Sequence, residues 1–221
     1  MTGRIGAVLF DLDGTLIDSA PDLAGACNDM RVERGLPALP YARLRAMVGS
    51  GARGMVGTGF GVTPADDAYP ALRDEFLRRY ELRMKSETRV FAAVPTLLEA
   101  LAKRGLPWGI VTNKAARFAL PLVEWLGLAG SAAAVVCGDT TAHAKPHPAP
   151  LLEAARRVGV EPAACVYVGD DLRDVEAGRA AGMLTLVAAW GYLGAGGPVA
   201  SWGADGIAVG PDGVMPWIDA T

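Results

Sequence analysis

Short apolar runs at residues 5–10, 108–112, 133–137, 165–169, 184–188 and 206–209 punctuate this chain. They are apolar throughout rather than alternating, which suits strands buried on both faces of a parallel sheet. Between the later runs lie helical patterns at 96–104, 115–126, 149–158 and 172–181. Each is followed by a glycine that suits a helix C-cap, namely Gly105, Gly127, Gly159 and Gly182. Strand and helix in alternation predict an α/β fold, a doubly wound, Rossmann-like parallel sheet.

The rhythm breaks once. Residues 18–89 hold no convincing strand and read as helices at 21–34, 41–47, 53–59 and 65–84. In the last of these Phe76 and Tyr80 are four residues apart, with Leu72 and Leu77 on a nearby face. The charged stretch 73–89 reads as a solvated helical face with an apolar stripe. The expected layout is an α/β core of residues 1–17 and 90–221 with an all-helical lobe, 18–89, inserted after the first strand. A length of 221 residues accommodates such a core and lobe. No internal repeat is visible, and residues 195–197 read as a short flexible loop.

Composition narrows the function. Twenty-one basic against 24 acidic residues leave a net charge of −3, with no excess for a nucleic-acid backbone. Only four of the basic residues are lysines (Lys85, Lys103, Lys114 and Lys145) against 17 arginines. In such a chain each lysine is informative. The three cysteines, Cys27, Cys137 and Cys165, are far apart and read as buried thiols, not as a disulfide or zinc framework. The first apolar run stops at Asp11, well short of the ~20 residues of a membrane span. A soluble, cytoplasmic protein without a signal peptide is expected, a monomer or weak homodimer.

In open α/β sheets ligands bind at the carboxyl ends of the strands. Here the first strand delivers Asp11-Leu12-Asp13-Gly14-Thr15, the second Thr112-Asn113-Lys114, the third a loop to Lys145-Pro146, and the fourth Asp170-Asp171 with Asp174 close behind. Asp11 and Asp170 brought together in a partly buried crevice repel, and a divalent cation resolves the conflict. All-oxygen ligation by few protein groups suits Mg2+, which also takes phosphate oxygens. Lys145 adds positive charge and Thr112 a neutral donor. The result is a phosphoryl socket with a carboxylate at hand as nucleophile and Asp13 as acid and base. Thr15 and Asn113 are expected at the substrate. Taken singly, each piece has a plainer meaning: Asp171 and Asp174 suit a helix N-terminus, and Lys145 alone would be a surface lysine. Their joint occurrence, in order, favours the chemistry.

These stretches, F-D-L-D-G-T-L-I-D-S at 10–19, V-T-N-K at 111–114, K-P-H-P at 145–148 and V-G-D-D-L-R-D at 168–174, resemble the haloacid dehalogenase superfamily phosphatases, of the phosphoglycolate phosphatase type with a helical cap domain inserted after the first strand. The resemblance implies Asp11 as nucleophile and Asp13 as acid/base. It implies Mg2+ on Asp11, the Asp13 backbone carbonyl and Asp170. Thr112 and Lys145 would hold phosphoryl oxygens, and Asp174 would orient Lys145. Asp171 stands where many relatives carry Ser or Thr. Further stretches, among them S-G-A-R at 50–53, R-F-A at 117–119 and W-G-A-D at 202–205, resemble the N-acetylmuramic acid 6-phosphate phosphatases of peptidoglycan recycling.

Both kinds of enzyme act on a small phosphate ester that carries a carboxylate. Substrate choice is expected in the cap, where backbone N–H groups at Gly51 and the Arg53 side chain could take that carboxylate. The plainer reading of this segment is a flexible turn with an exposed arginine. His143 and His147 are separated by Pro146 and read as loop residues. Two rivals remain open: a β-phosphoglucomutase-like phosphotransferase of the same fold, and a non-catalytic phosphate-binding module. Asp13 and Thr15 favour the hydrolase.

Overall fold

The computed structural model describes residues 5–194 and 197–220. Chain order begins with β1 (Ala7–Phe10) and the very short β2 (Ile17–Asp18). Four helices follow: α1 (Ala20–Glu33), α2 (Tyr41–Arg45), α3 (Gly51–Phe60) and α4 (Tyr69–Arg83). The chain returns through β3 (Arg89–Val90). It then runs α5 (Val94–Lys103), β4 (Trp108–Val111), α6 (Ala116–Trp125), β5 (Ala134–Val136) and α7 (Ala149–Val158). It closes with β6 (Cys165–Gly169), α8 (Leu172–Ala180), β7 (Leu184–Ala188), β8 (Gly206–Ala208) and α9 (Met215–Asp219).

Six strands form one parallel sheet in the order β5-β4-β1-β6-β7-β8. The chain winds outward from β1 through β4 to β5, then restarts beside β1 at β6 and winds the other way. The crevice at the carboxyl ends of β4, β1 and β6 is therefore the topological switch point.

The period-two pleat explains the core. Val8 and Phe10 of β1 point to one face, with Ile110, Val166 and Val168, under Leu97 and Leu101 of α5 and Phe118 and Leu122 of α6. Ala7 and Leu9 point to the other, with Val111, Val136 and Tyr167, under Leu151 and Ala154 of α7 and Ala177 of α8. The outermost strand differs from the expectation of burial on both faces. At β8 Ile207 is 45% exposed and the following Val209 83%, because an edge strand has one uncovered side.

Between β2 and β3 there is only helix. α1, α3 and α4 pack on one another, around Cys27, Met30, Met55, Phe76 and Tyr80. Their outer surface carries an ion-pair network in which Arg79 contacts Glu33 and Glu75, and Arg34 contacts Glu75. Such exposed pairs contribute little each, so the apolar stripe holds the helices. Helix α4 begins at Tyr69 rather than 65, since Pro70 sits at its first turn. The helical segment is bounded by a small antiparallel ribbon that the sequence does not signal, with Ile17 opposite Val90 and Asp18 opposite Arg89. A further unsignalled element is the five-residue α9. Residues 195 and 196 of the expected flexible loop lie outside the described residues.

Candidate active site

The first strand ends in a rigid turn. The Asp11 N–H donates to Val168 O at 2.9 Å, tying the turn to β6. Leu12 is fully buried, and its carbonyl accepts from the N–H groups of Leu16 and Ile17, both at 3.0 Å. Gly14 has φ 85°, and a side chain there would collide with the Asp170 carboxylate. Only glycine fits so close an approach. Asp11 and Asp13 are thus aimed from a fixed backbone towards the switch point.

Lys145 is the hub of the site and is almost fully buried. Its Nζ lies 2.9 Å from Asp11 Oδ1 and 2.7 Å from Asp174 Oδ1. It donates to Val111 O at 2.9 Å and to the Tyr167 hydroxyl at 2.7 Å. Burial alone pulls its pKa down, but Asp11 and Asp174 outweigh that and raise it. The ammonium stays charged. Asn113 clamps its backbone: the amide nitrogen donates to Lys145 O and the amide oxygen accepts from Lys145 N, both at 2.9 Å. Asp174 is held by the Tyr167 hydroxyl at 3.1 Å and by the Asp171 N–H at 3.0 Å.

Asp11, partly buried, and Asp170, buried, are two carboxylates short of positive charge. Burial pushes the Asp11 carboxyl up to about 7, against the pull of Lys145 and with Asp174 and Asp13 adding to the rise. Burial also raises Asp170 well above the usual carboxylate range, followed by the charges of Asp11 and Asp174. Asp11 Oδ1 receives no well-directed hydrogen bond, although Lys145 stands 2.9 Å away. Carboxylate oxygens of Asp11, Asp170 and Asp174 lie within 4.8 Å of one another. Asp174 is already engaged by Lys145, Tyr167 and the Asp171 N–H, which leaves Asp11 and Asp170 as the better cation ligands. This donor set is hard oxygen and anionic, and it fits a small divalent ion.

Asp13 faces the other lysine at the strand ends. Lys114 Nζ is 2.9 and 3.1 Å from its two carboxylate oxygens, and the Ser19 hydroxyl donates to Oδ1 at 2.5 Å. The Lys114 ammonium also sits 4.8 Å from the centre of the Tyr80 ring, a cation–π contact with helix α4. Burial lifts the Tyr80 phenol to about 12, so it remains a neutral hydroxyl.

Other expected residues sit differently. Thr112 is buried at the end of β4, and its Oγ1 accepts from Lys114 N at 3.1 Å. Thr15 is fully buried and donates to Asp170 Oδ1 at 3.2 Å, so it supports a carboxylate instead of meeting substrate. Asn113 lines the crevice, but its side chain is occupied by the Lys145 backbone. Gly51 and Arg53 are exposed at the start of α3 and do not line the cavity; Val48, Gly49 and Ala52 do. The reason is helical phase, since Ala52 takes the inward position. Asp171 caps α8: its side chain accepts from Arg173 N at 3.0 Å in a reciprocal capping box with Asp174. It also pairs with the Arg173 guanidinium at 2.8 Å, and Arg173 reaches Gly49 O on the helical lobe. His143 and His147 are exposed, their rings 4.4 Å apart in the loop after β5.

Tyr192 carries no sequence signal and is structurally central. Its N–H donates to Asp170 Oδ2 at 2.7 Å. Its hydroxyl accepts from Ser19 N at 2.9 Å and donates to Asp18 at 2.9 Å. From the helical lobe, Arg45 donates to Gly191 O at 3.1 Å and stacks over the Tyr192 ring at 4.8 Å. One loop thereby couples Asp170, β2 and helix α2.

These groups open into a cavity of about 270 Å³. Its polar floor comes from the strand ends. Its apolar walls come from Leu23, Phe76, Leu77 and Tyr80 of the helical lobe and Phe118 of α6. The haloacid dehalogenase-like hydrolase family model matches residues 8–188, most of the chain and all of these strand ends. The chain belongs to the haloacid dehalogenase-like hydrolases. Within them it is 44% identical over 202 residues to an N-acetylmuramic acid 6-phosphate phosphatase of Pseudomonas putida, covering 91% of each chain. It is 49% identical over 200 residues to a phosphoglycolate phosphatase of Xanthomonas campestris pv. campestris, covering 90% of each. A solved structure described as a predicted phosphoglycolate phosphatase from Haemophilus somnus superposes with a TM-score of 0.85 at 25% identity, covering 98% of this chain and 99% of that one. This haloacid dehalogenase-like hydrolase is accordingly an enzyme, a phosphatase. No described helix is long and apolar enough to cross a membrane.

Proposed function

We propose that the enzyme hydrolyses a small, carboxylate-bearing phosphate monoester through an aspartyl-phosphate on Asp11. The observation that carries this is the Asp11 carboxylate itself, held on a rigid turn with one buried oxygen lacking a directed hydrogen bond, beside Lys145 and Asp170. An Asp11 oxygen attacks phosphorus, the ester P–O bond breaks, and the leaving alkoxide takes a proton from Asp13. Water then attacks the phosphoenzyme, Asp13 takes a proton from it, and Asp11 is released with inorganic phosphate. Lys145 and Thr112 hold phosphoryl oxygens, and Lys114 fixes Asp13. The Asp11 and Asp170 carboxylates, with the Asp13 carbonyl, would hold Mg2+. When bound it neutralises these carboxylates and draws charge from the phosphoryl oxygens.

We assign residues 18–89 as the cap that supplies the walls, and 1–17 and 90–221 as the catalytic core. The relatives point to two substrates, N-acetylmuramic acid 6-phosphate and 2-phosphoglycolate. The broad apolar wall of Phe76, Leu77, Tyr80 and Phe118 favours the bulkier sugar ester. Three free, buried cysteines support work in the reducing cytoplasm. The test is phosphate release with Mg2+, compared by kcat/KM. N-acetylmuramic acid 6-phosphate is expected to exceed 2-phosphoglycolate; the reverse order returns the assignment to the smaller ester, and no release from either removes it.

A further inference from the structure

Four cations line the cavity, and three of them are already neutralised. Lys145 is held between Asp11 and Asp174, Lys114 lies on Asp13, and Arg173 lies on Asp171. The fourth is Arg117, on the first turn of α6. Among the described residues no carboxylate forms an ion pair with it. Its guanidinium rests over the Phe118 ring at 4.4 Å, and Phe118 packs on Tyr80 with ring centres 5.6 Å apart. Tyr80 supplies the second candidate group: it is 1% exposed and lines the cavity, and its hydroxyl makes no well-directed hydrogen bond, the Lys114 ammonium being the charged group beside it. A buried hydroxyl left unpaired costs free energy that a polar ligand group removes.

We propose that Arg117 reads the carboxylate of the substrate, with the Tyr80 hydroxyl bonding a polar group on the substrate body. This rests on the function proposed above and deepens it. A guanidinium presents a planar fork that matches a carboxylate with two parallel hydrogen bonds. Its stacking on Phe118 limits the freedom lost on binding. The role expected at Arg53 thereby moves from helix α3 of the helical lobe to a core helix. Carboxylate recognition then sits three residues from Lys114, on the helix that follows the strand end bearing Thr112.

The experiment pairs two esters that differ only in the 3-O-lactyl group and its carboxylate, N-acetylmuramic acid 6-phosphate and N-acetylglucosamine 6-phosphate. Each is assayed with wild-type enzyme and with Arg117→Ala, Arg117→Lys and Arg53→Ala. Arg117→Ala is expected to lower kcat/KM for the acidic ester roughly 10–100-fold, mostly through KM, and to leave the neutral ester unchanged. Arg117→Lys, which keeps the charge and loses the fork, is expected to recover part of the loss. Equal losses on both esters overturn the proposal, as does an effect that appears in Arg53→Ala and not in Arg117→Ala. Wild-type indifference to the carboxylate overturns the substrate class along with it. A wild-type preference that survives Arg117→Ala overturns the role of Arg117 alone.

Discussion

Lys114 grips both carboxylate oxygens of Asp13, at 2.9 and 3.1 Å, across 101 residues of sequence. In the proposed mechanism Asp13 moves the proton and Lys114 fixes where its carboxylate points. Replacing Lys114 by Met is expected to lower kcat about 10–100-fold for every ester, p-nitrophenyl phosphate included, with little change in KM. The same change at the exposed Lys85 serves as a control. Steady-state kinetics on two unrelated esters reads the split. A loss confined to KM would falsify the positioning role.

Asp11→Asn removes the nucleophile and keeps the shape. Turnover is expected to fall at least about a thousandfold, while circular dichroism and the melting temperature show a folded protein. A variant retaining wild-type rates rules out the aspartyl-phosphate.

Stability should depend on pH and metal together. The folded-state pKa of Asp11 is raised from 3.8 to about 7. Below the lower value folded and unfolded chains are both protonated, and this stabilising contribution is complete. As pH rises between the two values the unfolded chain releases its proton first, and the folded state loses that stability. Metal-free enzyme is therefore expected to melt at progressively lower temperature as pH rises from about 4 to about 7. Mg2+ should flatten the curve, and Asp170→Asn should weaken that rescue. Differential scanning fluorimetry with and without a chelator makes the comparison, and a metal-free curve that rises with pH contradicts it.

Asp171 accounts for its own identity. It caps α8 and also pairs with Arg173. Asp171→Ala loses the cap, which costs about 1–2 kcal/mol or about 2–8 °C in a chain of this size. Asp171→Ser keeps a capping oxygen and gives up only a half-exposed ion pair, so its melting temperature should stay within about 2 °C of wild type. Equal losses in the two variants would show that the ion pair, and not the cap, is what matters.

What was legible in the sequence was local. Runs such as 165–169 are apolar throughout because both faces of β6 are covered, and the polar residues that stop them mark the strand ends. Lys145 stood out because lysine is rare here. Tyr192 had no such mark. It serves Asp170 through a backbone N–H, which any residue possesses. The grip of Lys114 on Asp13 depends on tertiary folding alone. Two-residue strands such as β2 and β3 are shorter than any periodicity can reveal. Arg53 falls outside the cavity and Ala52 within it, because the run of small residues at 49–52 does not set the phase of α3.

The β2–β3 ribbon has a bearing on how such enzymes diversify. The outgoing strand at Ile17 and the returning strand at Val90 are hydrogen-bonded neighbours, so the helices between them hang from two adjacent points. A replacement segment of another length or shape needs only to begin and end side by side, and its closure cost grows slowly with length. The sheet, the turn bearing Asp11 and Asp13, and the loops bearing Lys145 and Asp170 keep their connectivity through such an exchange. The ribbon is a graft junction at which new cavity walls can be fitted to unchanged phosphoryl chemistry.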